Sequence, residues 1–136
     1  MIEDILPPEA WKILQSDPGA VLLDVRSKVE FNFVGHPPGA VNVPWQEAPE
    51  WKVDPQFVEK VRDALKARGL EKPEDGNILA MCRSGARSRS AGEALAALGF
   101  KHVVNVAEGF EGDLDGQKHR GNVNGWRFHG LPWEQT

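Results

Sequence analysis

Apolar positions along the chain follow two different periods. After Pro7-Pro8, Trp11 and Leu14 stand three apart with an acid at Glu9, which predicts a short helix opening at proline and stopped by Asp17-Pro18-Gly19. Residues 20–25 (AVLLDV) are a short apolar, β-branched run without helical period, bounded by turn residues, as in a buried parallel strand. Ser27 with Glu30 three residues on forms a capping box for a helix over 28–33, broken by Gly35-His36-Pro37-Pro38-Gly39. A second strand is predicted over 40–43. After a proline-interrupted stretch, Asp54-Pro55 opens a helix with apolar residues Phe57, Val58, Val61, Ala64 and Leu65 on one face, ending at Gly69. Residues 77–81 (NILAM) predict a third strand, 88–98 an alanine-rich helix closed by Gly99, and 102–106 a fourth strand. Residues 2–6 are a short candidate for a further strand at an edge. The remainder, 108–136, is polar and glycine-rich, with one or two helical turns expected over 124–130.

Strands alternating with helices imply an α/β fold: a small, mainly parallel β-sheet of about five strands with helices on both faces. A length of 136 residues suits a single domain over 1–136, large enough to build a core without disulfides or a structural metal. The net charge of -4 argues against a nucleic-acid or anionic-membrane partner. No apolar run reaches the roughly 18 residues of a membrane span, and the first ten residues lack the pattern of a signal peptide, so a cytoplasmic location is expected. The single cysteine, Cys82, cannot form an internal disulfide. Oligomeric state is open between a monomer and a small homo-oligomer.

Candidate chemistry concentrates in residues 81–90, MCRSGARSRS. Cys82 ends a predicted parallel strand just before a helix, where α/β folds place their ligands. A tight loop of small residues that opens a helix turns several backbone N–H groups inward, and the helix dipole adds partial positive charge. Arg83 and Arg87 add full charges, with Arg89 beyond them and no acid before Glu93. This setting favours an anionic, reactive sulfur over an inert buried thiol. Gly85 supplies the backbone freedom that the loop needs.

These residues resemble those of single-domain rhodanese-like sulfurtransferases. The resemblance extends beyond the loop: residues 22–26 (LLDVR), Glu30-Phe31, Gly35-His36 and 38–44 (PGAVNVP) are similar to the family's first block, and 82–88 (CRSGARS) to its active-site loop. Residues 106–112 (VAEGFEG) resemble the family's turn after the last core strand, and Trp126 with Leu131-Pro132-Trp133 its tail. The resemblance implies a rhodanese-like fold in which Cys82 accepts a sulfane sulfur as a persulfide. It implies thiosulfate or a related small anion as donor, and cyanide, a thiol or a protein as acceptor. Arg83, Ser84, Gly85, Ala86, Arg87 and Ser88 would bind the anion, the two arginines holding the sulfonate end. No metal or organic cofactor is implied.

Two other functions are compatible with the loop. A non-enzymatic persulfide carrier or regulatory binding module would carry the same residues. A cysteine phosphatase or arsenate reductase fits less well, because Cys82 to Arg87 is C-x4-R, one residue short of the C-x5-R cradle of those enzymes, and Ser88 stands where their arginine would be. Asp24 and Arg26 read as framework, with Arg26 paired to Glu30 or a loop carbonyl. His36 reads as a turn residue with a local hydrogen bond. His102, His119 and His129 lack metal-ligand spacing, so no metal is assigned. Trp45 is a candidate for the wall of the pocket mouth. Glu108, Glu111, Asp113 and Asp115 are expected to form a solvated loop, or to dock a basic partner.

Overall fold

In the computed structural model, which describes residues 1–136, five parallel strands form the central sheet. In chain order the elements are β1 (Glu3–Ile5), α1 (Pro7–Ser16), β2 (Ala20–Asp24), a π-helical turn (Glu30–Val34), β3 (Val41–Asn42), β4 (Gln46–Glu47) and β5 (Lys52–Val53). They continue with α2 (Phe57–Ala67), a 3-10 turn (Pro73–Asp75), β6 (Asn77–Met81), α3 (Ala86–Ala97) and β7 (His102–Val106). The sheet order is β1-β7-β6-β2-β3, while β4 and β5 pair as a separate antiparallel hairpin.

The period-2 pattern of the strands divides the core. Val21 and Leu23 of β2, Ile78 of β6 and Val103 of β7 point to one face, where they pack with Phe57, Val61 and Leu65 of α2 and Ala91 and Leu95 of α3. Leu22, Leu79, Met81 and Val106 point to the other face, covered by Ala10 of α1 and by Phe110 and Trp126 of the C-terminal segment. Trp11 meets Trp126 edge to face at 5.9 Å. The sheet therefore has helices on both faces, as the sequence pattern predicts. No helix is long and apolar enough to cross a membrane.

Several local expectations are refined. Residues 2–6 do supply an edge strand, since Glu3, Asp4 and Ile5 pair with Val104, Asn105 and Val106. The capping box at Ser27 forms in both directions: Glu30 N–H donates to Ser27 Oγ, and Ser27 N–H and Oγ–H donate to Glu30 Oε1. The helix it opens is short and widens into a π turn. Residues 124–130 form a single turn closed by His129 N–H on the Gly125 carbonyl.

Asp24 and Arg26 are framework, and of the two expected partners Arg26 takes a loop carbonyl, that of Gly35, rather than Glu30. The two side chains are fully buried against each other. Arg26 Nε donates to Asp24 Oδ1 at 3.0 Å, and Nη2 donates to Asp24 Oδ2 at 2.6 Å and to the Gly35 carbonyl at 2.7 Å. The guanidinium lies 4.5 Å from the Phe110 ring centre. The carboxylate two residues away takes the arginine fork, while Glu30 is engaged by Ser27 and Arg87.

Candidate functional site

The five strands run parallel, but the side on which the chain adds strands switches between β2 and β6: β2 is followed on one side by β3, and β6 on the other side by β7, with β1 beyond it at the edge. Crevices at the carboxyl ends of such strands are where open α/β sheets bind ligands. Cys82 follows β6 at that point, with its side chain only 1% exposed.

The loop after Cys82 is shaped by a second segment. Phe110 N–H donates to the Cys82 carbonyl at 2.8 Å, and the N–H groups of Glu111 and Gly112 donate to the Arg83 carbonyl at 3.0 and 3.1 Å. The approach is close enough that a Cβ on Gly109 would lie 2.5 Å from the Cys82 carbonyl oxygen. With those carbonyls turned outward and Gly85 at a left-handed φ of 110°, the N–H of Gly85 comes within 3.2 Å of Cys82 Sγ. The amides of Arg83, Ser84, Ala86 and Arg87 donate to no group of the protein, as expected of a loop that runs into the first turn of α3. This loop is an anion cradle with a sulfur at its base.

Behind the sulfur stands Ser88, fully buried, with Oγ 3.3 Å from Cys82 Sγ and 2.6 Å from Asn105 Oδ1. Asn105 on β7 donates its amide N–H groups to Asp4 and to the Gly85 carbonyl, so its oxygen faces the serine. One β7 side chain thereby fixes the loop carbonyl and the hydroxyl beside the sulfur together.

Cys82 lines a cavity of about 730 Å³ together with Arg83, Ser84, Ala86 and Arg87 of the loop and with Glu30, Val34, Gln46, Trp51, Glu111 and Arg120. Arg87 does not enter it as a free cation: Nη1 and Nη2 donate to the two carboxylate oxygens of Glu30, each at 2.8 Å. Burial on its own would raise the Glu30 pKa, yet the Arg87 hydrogen bonds and charge, with Ser27, outweigh it and hold the carboxyl at about 2, against an ordinary 4.5. The same pairing raises the Arg87 pKa.

A folded-state pKa below the unfolded one contributes stability that is complete above about pH 4.5 and is lost as pH falls toward 2. The full shift corresponds to about 3 kcal/mol. Glu30→Gln is therefore expected to unfold at lower urea than wild type at pH 6, with the two midpoints converging as pH approaches 2. Urea titrations across that range check this, and a constant offset at all pH values would remove the ion pair as its source.

Trp51, not Trp45, stands at the mouth. Trp45 packs edge to face on Phe57 at 5.0 Å and lines a neighbouring cavity under the β4–β5 hairpin. Trp51, in the hairpin turn, takes a left-handed φ of 56°, uncommon for a bulky residue, and its ring centre is 5.9 Å from the Arg87 guanidinium. Arg89 is also displaced from the expected cluster: it turns to Asp4 and Glu93, away from the cavity-lining set. His36 hydrogen-bonds the Phe31 carbonyl at 2.9 Å through Nδ1, the local role read from its turn, and its Nε2 also meets Glu134 Oε2 at 3.3 Å, a contact with the C-terminal segment that the turn does not announce.

The acids after β7 serve internal contacts. Glu108 accepts from Gly125 N–H and contacts His129, Asp113 accepts from Asn124, and Asp115 accepts from the N–H groups of Gln117 and His119 and from Asn122. Asn105 was legible as a polar residue at an inward position of an apolar strand. Trp51 and Arg120 carry no local signal, because only the fold brings them to Cys82.

Residues 6–114 match the family described as the Rhodanese-like domain. A crystal structure from M. tuberculosis is 38% identical and superposes with a TM-score of 0.84, covering 98% of each chain. Thiosulfate sulfurtransferase 18 of Arabidopsis thaliana is 41% identical over 106 residues, 75% of this chain and 71% of its own length. An uncharacterized protein of Rickettsia conorii is 28% identical over 98% of both chains.

Proposed function

On the premise that the chain belongs to the Rhodanese-like domain family, we propose that it is a sulfurtransferase in which Cys82 carries a sulfane sulfur from a small donor to a thiophilic acceptor. The observation that carries this reading is the placement of Cys82 in a loop whose Gly85 N–H meets Sγ and whose amides at Arg83, Ser84, Ala86 and Arg87 are unspent, in the wall of a cavity of small-molecule size.

With thiosulfate as donor, the Cys82 thiolate attacks the outer sulfur. A sulfur–sulfur bond forms at Cys82, the donor's own sulfur–sulfur bond breaks, and the electron pair leaves with sulfite. The persulfide anion then lies among the loop amides of Ser84 to Arg87, which stabilise the negative charge as it moves outward by one atom. In the second step a nucleophile such as cyanide or a thiolate attacks the outer sulfur, and Cys82 leaves as the thiolate. Both steps balance without an external oxidant or reductant. A cytosolic setting, where thiols are kept reduced, suits a cycle that begins from a free thiolate.

Thiosulfate is supported by the name of the Arabidopsis relative and by the size and charge of the cavity. The C-x4-R loop speaks against phosphate esters, which need the wider cradle. The direct test is the intact mass of the reduced protein before and after thiosulfate, then after cyanide. The expected result is a gain of one sulfur that cyanide removes. A gain from a protein persulfide donor but not from thiosulfate would assign the carrier role instead, and no gain from either would overturn sulfur transfer.

A further inference from the structure

The charges around the cavity do not cancel, and half of the excess lies outside the loop motif. Arg87 is neutralised by Glu30. Glu111 has Arg127 3.8 Å away. Arg83 and Arg120 remain, and neither forms an ion pair: Arg83 is exposed at the rim, and Arg120 makes a single side-chain hydrogen bond, from Nη1 to the Gly112 carbonyl at 2.7 Å.

Arg120 is held in place by its own loop. Asp115 accepts the N–H groups of Gln117 and His119 at 2.8 and 2.9 Å and the Asn122 amide at 2.9 Å, while Asn124 Oδ1 accepts the Asp113 backbone N–H at 2.7 Å and Asn124 Nδ2 donates to Asp113 Oδ2 at 2.9 Å. The loop base is closed by Gly112 and Gly125, where a Cβ on Gly125 would lie 2.7 Å from Gly112 N. Gly112 also donates its N–H to the Arg83 carbonyl at 3.1 Å. One residue therefore ties the Arg120 guanidinium to the backbone of the reactive loop, two bonds removed from Cys82.

We propose that Arg120, with Arg83, forms the subsite that receives the oxyanion end of a small sulfonate-class sulfur donor, with its reactive sulfur turned toward Cys82. Two guanidiniums free of carboxylate partners in a partly enclosed cleft favour an anion over a neutral ligand of the same size, and their planar forks suit several oxygens on one centre. This deepens the sulfurtransferase reading and rests on it for the identity of the ligand. The Arg120 half of the subsite is then carried by the loop over 113–124, most of which lies beyond the matched family segment.

The test separates the subsite from the reaction. Cys82, the only thiol, is alkylated with iodoacetate and with neutral iodoacetamide, each in the presence and absence of sulfate. Arg120→Gln removes the charge while keeping an N–H donor for the Gly112 carbonyl. The iodoacetate-to-iodoacetamide rate ratio is expected to fall about tenfold or more in this variant, as when one charge-assisted hydrogen bond is lost, and sulfate protection seen in wild type is expected to disappear. Arg120→Lys should retain part of both. With thiosulfate as substrate, the Arg120→Gln defect should lie in KM rather than in kcat. An unchanged ratio and unchanged sulfate protection in Arg120→Gln would overturn the subsite. Sulfate protection that depends on Arg120, in a protein that gains no sulfur from thiosulfate or from a protein persulfide donor, would uphold the anion subsite and sink the sulfur-transfer reading.

Discussion

Cys82→Ser is expected to reduce thiocyanate formation from thiosulfate and cyanide to background, a loss of at least about a thousandfold in turnover. A serine oxygen is not ionised at neutral pH and is a poor acceptor of a sulfane sulfur, so no alternative covalent route exists. The chain has no second cysteine to substitute for it. The fold should survive: the Gly85 N–H and the Ser88 hydroxyl that now meet Sγ remain available to the serine hydroxyl, and the exchange reduces side-chain volume only slightly. Thermal melts of wild type, Cys82→Ser and Cys82→Ala accompany the assay, and turnover near the wild-type rate in a folded variant would remove Cys82 from the reaction.

The largest effect on stability is expected at the buried pair on the strand beside the reactive one. Asp24 ends β2 and is in register with Met81, the residue before Cys82. Asp24→Asn keeps the shape but leaves the Arg26 charge fully buried without a counter-charge, which costs about 3 to 5 kcal/mol. One guanidinium nitrogen, Nη1, already lacks a hydrogen-bond partner, so the site has no reserve to absorb the loss. Urea unfolding at neutral pH measures it. The double variant Asp24→Leu, Arg26→Met should recover much of the loss, because two matched apolar groups need no compensation. A loss below about 1 kcal/mol for Asp24→Asn would mean that Arg26 is compensated chiefly by the Gly35 carbonyl and the Phe110 ring.

Expectations for sulfur chemistry drawn from the loop alone assign its two arginines to the donor. The structure adds a partner that the loop does not show, since Glu30 pairs with Arg87. A bidentate ion pair that holds the carboxyl near 2 makes Arg87 a brace between the reactive loop and the π turn. The uncommitted positive charge moves to the rim, at Arg83 and Arg120. Trp51 closes the other side of the mouth from a hairpin whose strands are two residues each, too short for any periodic pattern to register.

The sequence by itself determined the α/β class, the parallel core strands, the three helices to within a few residues, and the loop that presents Cys82. All of these depend on local spacing: period 2 or 3.6 in apolar residues, Gly and Pro at the ends, and a thiol between a strand and a helix. It also marked the Ser27–Glu30 capping box, since both partners lie within one helical turn. Only the tertiary structure decided which groups meet the sulfur. Glu30 reaches Arg87 across 57 positions, Asn105 reaches Ser88 across 17, and Arg120 arrives on a glycine-closed loop with no motif of its own. The physical reason is that periodicity records which way a side chain faces, whereas partners across a crevice are set by strand order and crossover. Those are settled by the packing of the whole sheet.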